Sequence, residues 1–305
     1  MYYTSGSTGN PKGVLHASRG LCAWWVSAAY WLDLSPGDII WCTADTGWSK
    51  AGTSVLFGPW SQGATSVFYD GPFEPRRRLE ILAKHRVSVF CAPSTELFRI
   101  VNEDVARFDL SALRRTVSAG EAVSPPVAAR WKAVTGLDVI EAYGLTESLM
   151  NVLNYSGQPL KSGSMGRPQP GADVDIIDDA GRRLGADEEG HVALLTPHPQ
   201  LMLGYWRDPE RTEKVFIDGP DGRWRHARPP PAPLHRHQPR RRVLPPPRPP
   251  RRRRNPAPHH HRHPTTATLT NAHRWGISTS TPGDFRRASS TTPRINPPTF
   301  SGRSC

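Results

Sequence analysis

Between residues 38 and 143, short apolar and β-branched runs alternate with longer segments whose apolar positions return every three or four residues. Five runs predict strands, "DIIWCTA", "TSVFYDG", "VSVFCAP", "RTVSAG" and "DVIEAYG", since each is short, rich in β-formers and bounded by turn residues. Between them "PRRRLEILAKHR" sets Leu79, Leu82 and Ala83 at helical spacing. "SPPVAARWKAVTG" opens on Ser124 as N-cap, places prolines in its first turn and stops at Gly136. Strand, loop and helix in repetition predict an α/β layered domain whose ligand sits at the carboxyl ends of the strands. Upstream, "LCAWWVSAAYWLDL" is the most apolar stretch of the chain and carries an acid, Asp33, next to its end. Its 14 residues fall short of the roughly 20 a bilayer span needs, and it reads as a buried amphipathic helix.

After residue 160 the pattern changes. "GSMGRPQPG", "ADVDIIDDAG" and "GHVALLT" are strands and turns, with Asp-Ala-Gly as a hairpin signal, and predict a small β subdomain. "GYWRDPERTEKVF" predicts a short helix capped at Asp208 with Pro209 in its first turn.

Composition divides the chain. Of its 305 residues, the last 81 hold 17 Arg, no Lys, 17 Pro, 8 His and a single acid, Asp284. The overall charge of +12 therefore belongs to residues 225–305, and the preceding 224 residues carry a net −4. Residues 1–224 have the balance of a soluble domain able to bury a core. Residues 225–305 cannot form helices through their prolines nor bury enough apolar surface to offset chain entropy, and are expected to be disordered. Cys22, Cys42, Cys91 and Cys305 form no C-x-x-C pair, which argues against a zinc site or a disulfide framework and for a reducing, cytoplasmic setting. No signal peptide pattern and no membrane span is expected.

The chemistry concentrates in "YYTSGSTGNPKG", residues 2–13. Gly6, Gly9 and Gly13 let the backbone approach a ligand, Thr4, Ser5, Ser7 and Thr8 supply hydroxyls, and Lys12 supplies a mobile positive charge. That is a phosphate cradle, though not of the Walker spacing, because Pro11 stands five places after Gly6 and Gly13 follows Lys12. A flexible linker is the alternative; Pro-Lys-Gly followed at once by an apolar helix argues against it.

This stretch resembles the phosphate-loop signature of the adenylate-forming superfamily, which covers acyl-CoA synthetases, luciferases and the adenylation domains of peptide synthetases. "EAYGLTES" at 141–148 is similar to that family's Tyr-Gly-x-Thr-Glu signature, "SAGEAV" at 118–123 to its adenine-side loop, and "GSMGRPQPG" and "GYWRDPERTEKVF" to its later segments, all in order. The resemblance covers residues 2–216 and implies a layered domain of the adenylate-forming type. It implies that Thr4 to Lys12, with Ser5, Gly6, Ser7, Thr8 and Gly9, hold the ATP phosphates, and that Lys12 neutralises departing pyrophosphate. Gly120, Glu121, Glu141, Ala142 and Tyr143 would form the adenine pocket, and Gly144 would also bind the nucleotide. Thr146 would hydrogen-bond the α-phosphate, and Glu147 would bind Mg²⁺. From the residues alone Tyr143 could be core, and Glu147 an acid at a helix N-terminus. The implied reaction is attack of a carboxylate on the α-phosphorus of ATP, giving an acyl-adenylate, then transfer to coenzyme A. The stretch 44–71 and "FCAPSTELFRIV" are most similar to acetyl-CoA-synthetase-like and medium-chain acyl-CoA synthetases, which places Trp48 near the acyl chain; a core tryptophan is the other reading.

Two departures from the family pattern shape the expectation. A family member carries a long region before the phosphate loop, and after "DGRW" it continues with Thr-Gly-Asp, whose aspartate grips the ribose; here the chain reads "RHARPPPAP". The hinge, a downstream arginine and a small C-terminal domain with a catalytic lysine are also expected of the family and not met. Residues 1–224 are accordingly read as a partial large AMP-binding domain with impaired activity, and residues 225–305 as an out-of-frame tail. The alternatives are a stand-alone adenylation domain for an aryl or amino acid, a non-catalytic relic, and a basic arm binding nucleic acid. The tail's few aromatics argue against the last.

Overall fold

A computed structural model describes residues 1–4, 11–161 and 163–226. The tail lies outside the described residues except for Arg225 and His226, which continue a strand and so differ from the expected boundary at 224. The elements follow the chain as β1 (Tyr2–Thr4), β2 (Lys12–Leu15), α1 (Leu21–Tyr30), β3 (Ile39–Cys42), α2 (Lys50–Ser54), α3 (Phe57–Ser61) and β4 (Thr65–Val67). Next come α4 (Pro75–Lys84), β5 (Val89–Cys91), α5 (Ser94–Ile100), β6 (Arg115–Ala119), α6 (Pro125–Thr135), β7 (Val139–Leu145), β8 (Leu149–Leu153) and β9 (Arg167–Pro168). The last are β10 (Val174–Ile177), β11 (His191–Leu195), β12 (Gly204–Tyr205), α7 (Pro209–Glu213), β13 (Phe216–Gly219) and β14 (Gly222–His226).

The main sheet runs β4-β3-β5-β6-β7-β8-β9. Its first five strands are the five that the apolar runs predict, and they are mutually parallel. Strand alternation sorts their side chains onto two faces. Ile40, Cys42, Val89, Cys91, Val117, Ala119, Ile140 and Ala142 pack with Ala28 and Trp31 at the end of α1 and with Ala51 of α2. Trp41 and Phe90 point the other way, onto Leu79, Leu82, Leu97, Ile100 and Trp131 of α4, α5 and α6. Helices therefore cover both faces, as a buried parallel sheet requires. The fully buried indoles of Trp31 and Trp131 each find an acceptor, the Ile140 carbonyl and the Thr116 hydroxyl, both at 3.1 Å.

β7 is followed by a strand instead of a helix, against the expected rhythm. β8 returns antiparallel to it, Leu145 opposite Leu149, and Gly144 allows the close approach: a Cβ there would lie 2.2 Å from the Leu149 carbonyl oxygen. The predicted caps divide as well. Gly136 adopts φ +75° and ends α6, and the Asp208 carboxylate accepts from the Arg211 amide to cap α7. Ser124 has the extended backbone of an N-cap, but its hydroxyl makes no capping bond.

The small β subdomain is a four-stranded antiparallel sheet, β10-β11-β14-β13. Asp-Ala-Gly forms a tight turn, with Gly181 at φ +72°, that bridges only Ile177 to Arg183. The strand partner of β10 begins later, at His191. A third sheet, β1-β2-β12, joins the N-terminal hairpin to the segment preceding α7.

Candidate functional site

The loops expected to hold a ligand leave the carboxyl ends of the parallel strands, where doubly wound sheets place their sites. Gly120 and Glu121 follow β6, and Thr146 and Glu147 form the tip of the β7–β8 hairpin. Trp48 precedes α2 in the connection after β3. The hairpin β1–β2 sets Thr4 directly opposite Lys12. Ser5, Gly6, Ser7, Thr8 and Gly9, which connect the two, lie outside the described residues.

A strand pairing and four hydrogen bonds bring these loops together. β12 pairs with β2, with Tyr205 opposite Val14. The amide before it, Met202 N, donates to the Glu147 carbonyl at 2.8 Å, and Leu203 N donates to Leu15 O at 2.7 Å. His16, just past β2, donates its Nε2–H to the Thr146 carbonyl at 2.7 Å, and Ser49 donates its hydroxyl to Thr146 Oγ1 at 3.2 Å. The β1–β2 arm and the Thr146-Glu147 tip are thus tied into one corner.

The polar side chains in that corner form a chain. Lys12 Nζ sits 5.1 Å from the centroid of the Tyr205 ring, a cation–π distance. The Tyr205 hydroxyl donates to Glu147 Oε1 at 2.6 Å, and Arg225 Nη2 lies 3.7 Å from the same oxygen. Burial and the neighbouring carboxylate push the Tyr205 phenol well above its ordinary range, so it remains a donor to Glu147. Burial pushes the Tyr143 phenol up to about 12. His16 moves the other way, its pKa lowered by burial against the opposing hydrogen bond to Thr146. It is neutral near pH 7, which fixes the proton on the nitrogen facing the carbonyl.

On the adenine side the predicted residues have structural employment of their own. Gly120 takes φ +99° with open space beside its α-carbon, a left-handed conformation that lets the chain leave β6 sharply. Glu121 Oε1 accepts from the Thr95 amide at 2.7 Å, holding the first turn of α5. Glu141 Oε1 accepts from Val123 N at 2.8 Å and so fixes the loop after β6. Its carboxyl pKa is raised by burial, with that amide pulling the other way. Ala142 is buried in the main core, and Tyr143 packs against the cluster of the small β subdomain.

Two residue readings change. Glu147 lies at a hairpin tip, not at a helix N-terminus. Trp48 is 63% exposed and is not a core tryptophan. His16, Ser49, Lys50 and Tyr205 were not singled out by the sequence. Tyr205 lies in a motif that was, but its pairing with β2 has no local signal, and neither do the bonds from His16 and Ser49.

Comparison with known proteins follows the same residues. The family model described as AMP-binding enzyme matches residues 1–206. The chain is 42% identical over 222 residues to the mitochondrial acyl-coenzyme A synthetase ACSM3 of Mus musculus, covering 71% of this chain and 38% of that protein. It is 35% identical over 224 residues to the acetyl-coenzyme A synthetase of Bacillus subtilis, covering 72% and 39%. The chain thus spans well under half the length of these curated relatives. Among solved structures, it resembles an anthranilate CoA ligase in complex with anthranoyl-AMP, with TM-score 0.65, 27% identity and coverage of 74% of this chain and 46% of that one. An acyl-CoA synthetase of Brucella canis gives TM-score 0.61 at 27% identity, covering 73% and 43%. With the family model matched across more than half its length, on the segments that converge at the carboxyl edge of the sheet, the chain belongs to the AMP-binding enzyme family.

Proposed function

We propose that residues 1–226 form part of the large domain of an AMP-forming acyl-CoA synthetase, acting on a short- or medium-chain carboxylic acid with ATP and coenzyme A. The observation that supports it best is the corner where Lys12, Tyr205, Thr146 and Glu147 meet. It offers two cations, Lys12 and Arg225, one carboxylate and hydroxyl donors at the edge of a parallel sheet, a set suited to a polyphosphate. In this reading Lys12 neutralises charge on departing pyrophosphate, Thr146 hydrogen-bonds the α-phosphate, and Tyr143 lies against the adenine with Gly120, Glu121, Glu141, Ala142 and Gly144 around it. Trp48, exposed at the head of α2, faces the acyl chain. The acid's carboxylate oxygen bonds the α-phosphorus as the bond to pyrophosphate breaks, and the thiol of coenzyme A then takes the acyl group and releases AMP. The protein's part is positioning and charge neutralisation.

The residues present fit Mg²⁺. Glu147 is the carboxylate at the corner, and among the described residues no group of three or more His, Cys, Asp or Glu could hold a metal by itself. Mg²⁺ is commonly held by one or two carboxylates together with substrate phosphates and water. Glu147 would hold it, and the ion would offset phosphate charge. Among the described residues no helix is long and apolar enough to cross a membrane.

ATP–pyrophosphate exchange, run with short-chain, medium-chain, aryl and amino acids, tests the reading. Exchange that depends on a fatty acid supports it, and preference for an aryl or amino acid moves it to the stand-alone adenylation alternative. No exchange with any acid by folded protein favours the non-catalytic relic.

A further inference from the structure

α2 is five residues long, yet all five are buried, including a lysine. Lys50 Nζ donates to the Ala119 carbonyl at 2.8 Å across the molecule. Among the described residues no carboxylate lies within ion-pairing distance of it. Its other neighbours are the thiols of Cys42 and Cys91, adjacent in register on β3 and β5. Burial works against the charge on Lys50, while Cys91, Cys42 and the Glu121 carboxylate together favour it strongly enough to leave the pKa raised. A buried ammonium is costly, and a methionine would fill the same volume without that cost. The lysine's bond to the backbone goes to the last residue of β6, next to the left-handed Gly120.

The flanking residues of the same segment reach the other two parts of the site. Ser49 holds the Thr146 hydroxyl at 3.2 Å. Gly52 lies so close to β1 and α1 that a Cβ there would come 2.9 Å from the Tyr2 hydroxyl and 2.8 Å from the Trp24 ring. One turn of helix thus touches the phosphate-loop arm, the loop after β6 and the β7–β8 tip, and it begins two residues after Trp48.

We propose that Lys50 is a positioning residue for nucleotide binding. Its ammonium holds the Ala119 carbonyl so that the Gly120-Glu121 turn stands where an adenine ring can be received, while Ser49 registers the same helix against Thr146. The inference rests on the nucleotide reading above and deepens it, because it assigns Lys50 to the adenine side, through the Ala119 carbonyl, as distinct from the phosphate side.

Titration calorimetry of the full chain with AMP and, separately, with pyrophosphate tests it. Lys50→Met should raise the Kd for AMP about tenfold or more, the scale of a lost charge-assisted hydrogen bond, and leave that for pyrophosphate within about twofold. Parallel loss of both ligands marks a merely structural lysine and overturns the proposal, as does unchanged AMP affinity. Should the methionine variant fail to fold, Lys50→Arg, which keeps the cation and a donor, should bind AMP within about threefold of the parent. A folded arginine variant that has lost AMP alone contradicts the proposal. A parent chain that binds neither AMP nor pyrophosphate removes the nucleotide reading itself, and this inference with it.

Discussion

Lys12 and His16 sit four residues apart on and just after β2 and do different work. Lys12 is half-buried, reaches over the Tyr205 ring and makes no ion pair among the described residues. Its removal should therefore affect charge neutralisation more than folding. Lys12→Ala is expected to slow acid-dependent ATP–pyrophosphate exchange about a hundredfold, with the Tm nearly unchanged. His16 is structural, bonded to the Thr146 carbonyl with its ring neutral. Its folded pKa is lowered below 6.5, so the unfolded chain takes up a proton that the folded chain resists. Stability from this source is complete above pH 6.5 and is lost as pH falls through the lower folded value. Urea midpoints of the parent should decline over that acidic window. Those of His16→Gln, which keeps a donor for the carbonyl but cannot titrate, should decline less.

At the scale of elements, two contacts decide whether the site is built. The β7–β8 hairpin presents Thr146 and Glu147, and its register shifts between Tyr143 and Gly144. Gly144→Ala would drive a Cβ into the Leu149 carbonyl, 2.2 Å away. The expected cost is roughly 3 kcal/mol in denaturant unfolding, the upper range for overpacking, with loss of nucleotide binding. The small β subdomain depends on Arg183. Its guanidinium donates to Asp173 at 2.7 Å, Asp221 at 2.8 Å and Asp175 at 3.1 Å, and lies 4.7 Å from the Trp224 ring centroid. Arg183→Met leaves three neighbouring carboxylates without their shared cation, and should cost about 2 kcal/mol by chemical denaturation. Added salt should narrow that deficit, because what remains is repulsion between partly exposed like charges.

The same elements show what the sequence could and could not reveal. The strands β3 to β7 and the helices α4 and α6 are legible because burial on one or both faces imposes a periodicity. α2, α3 and α5 are five to seven residues long, too short for a helical period to register. β8 is masked by its place directly after a signature motif. Of the candidate site, the residue types in "YTSGSTGNPKG" and "EAYGLTES" stand out in the sequence because their glycines and hydroxyls are clustered locally. The contacts from Tyr205, His16 and Lys50 were not. They join positions 58, 130 and 69 residues apart in sequence, and only the closed fold brings such pairs together.

For the whole molecule, the central claim is that three separate segments form one adenine-nucleotide site at the carboxyl edge of the main sheet. The strongly basic segment 225–305 offers the opposite possibility, that nucleotides bind the chain by charge alone. Photolabelling of the full chain with 8-azido-ATP, followed by mapping of the labelled peptides, separates the two. Adducts on peptides containing residues 118–123 and 141–147, suppressed by excess ATP, are the predicted result. Adducts confined to residues 227–305, or scattered and indifferent to competing ATP, would contradict the account.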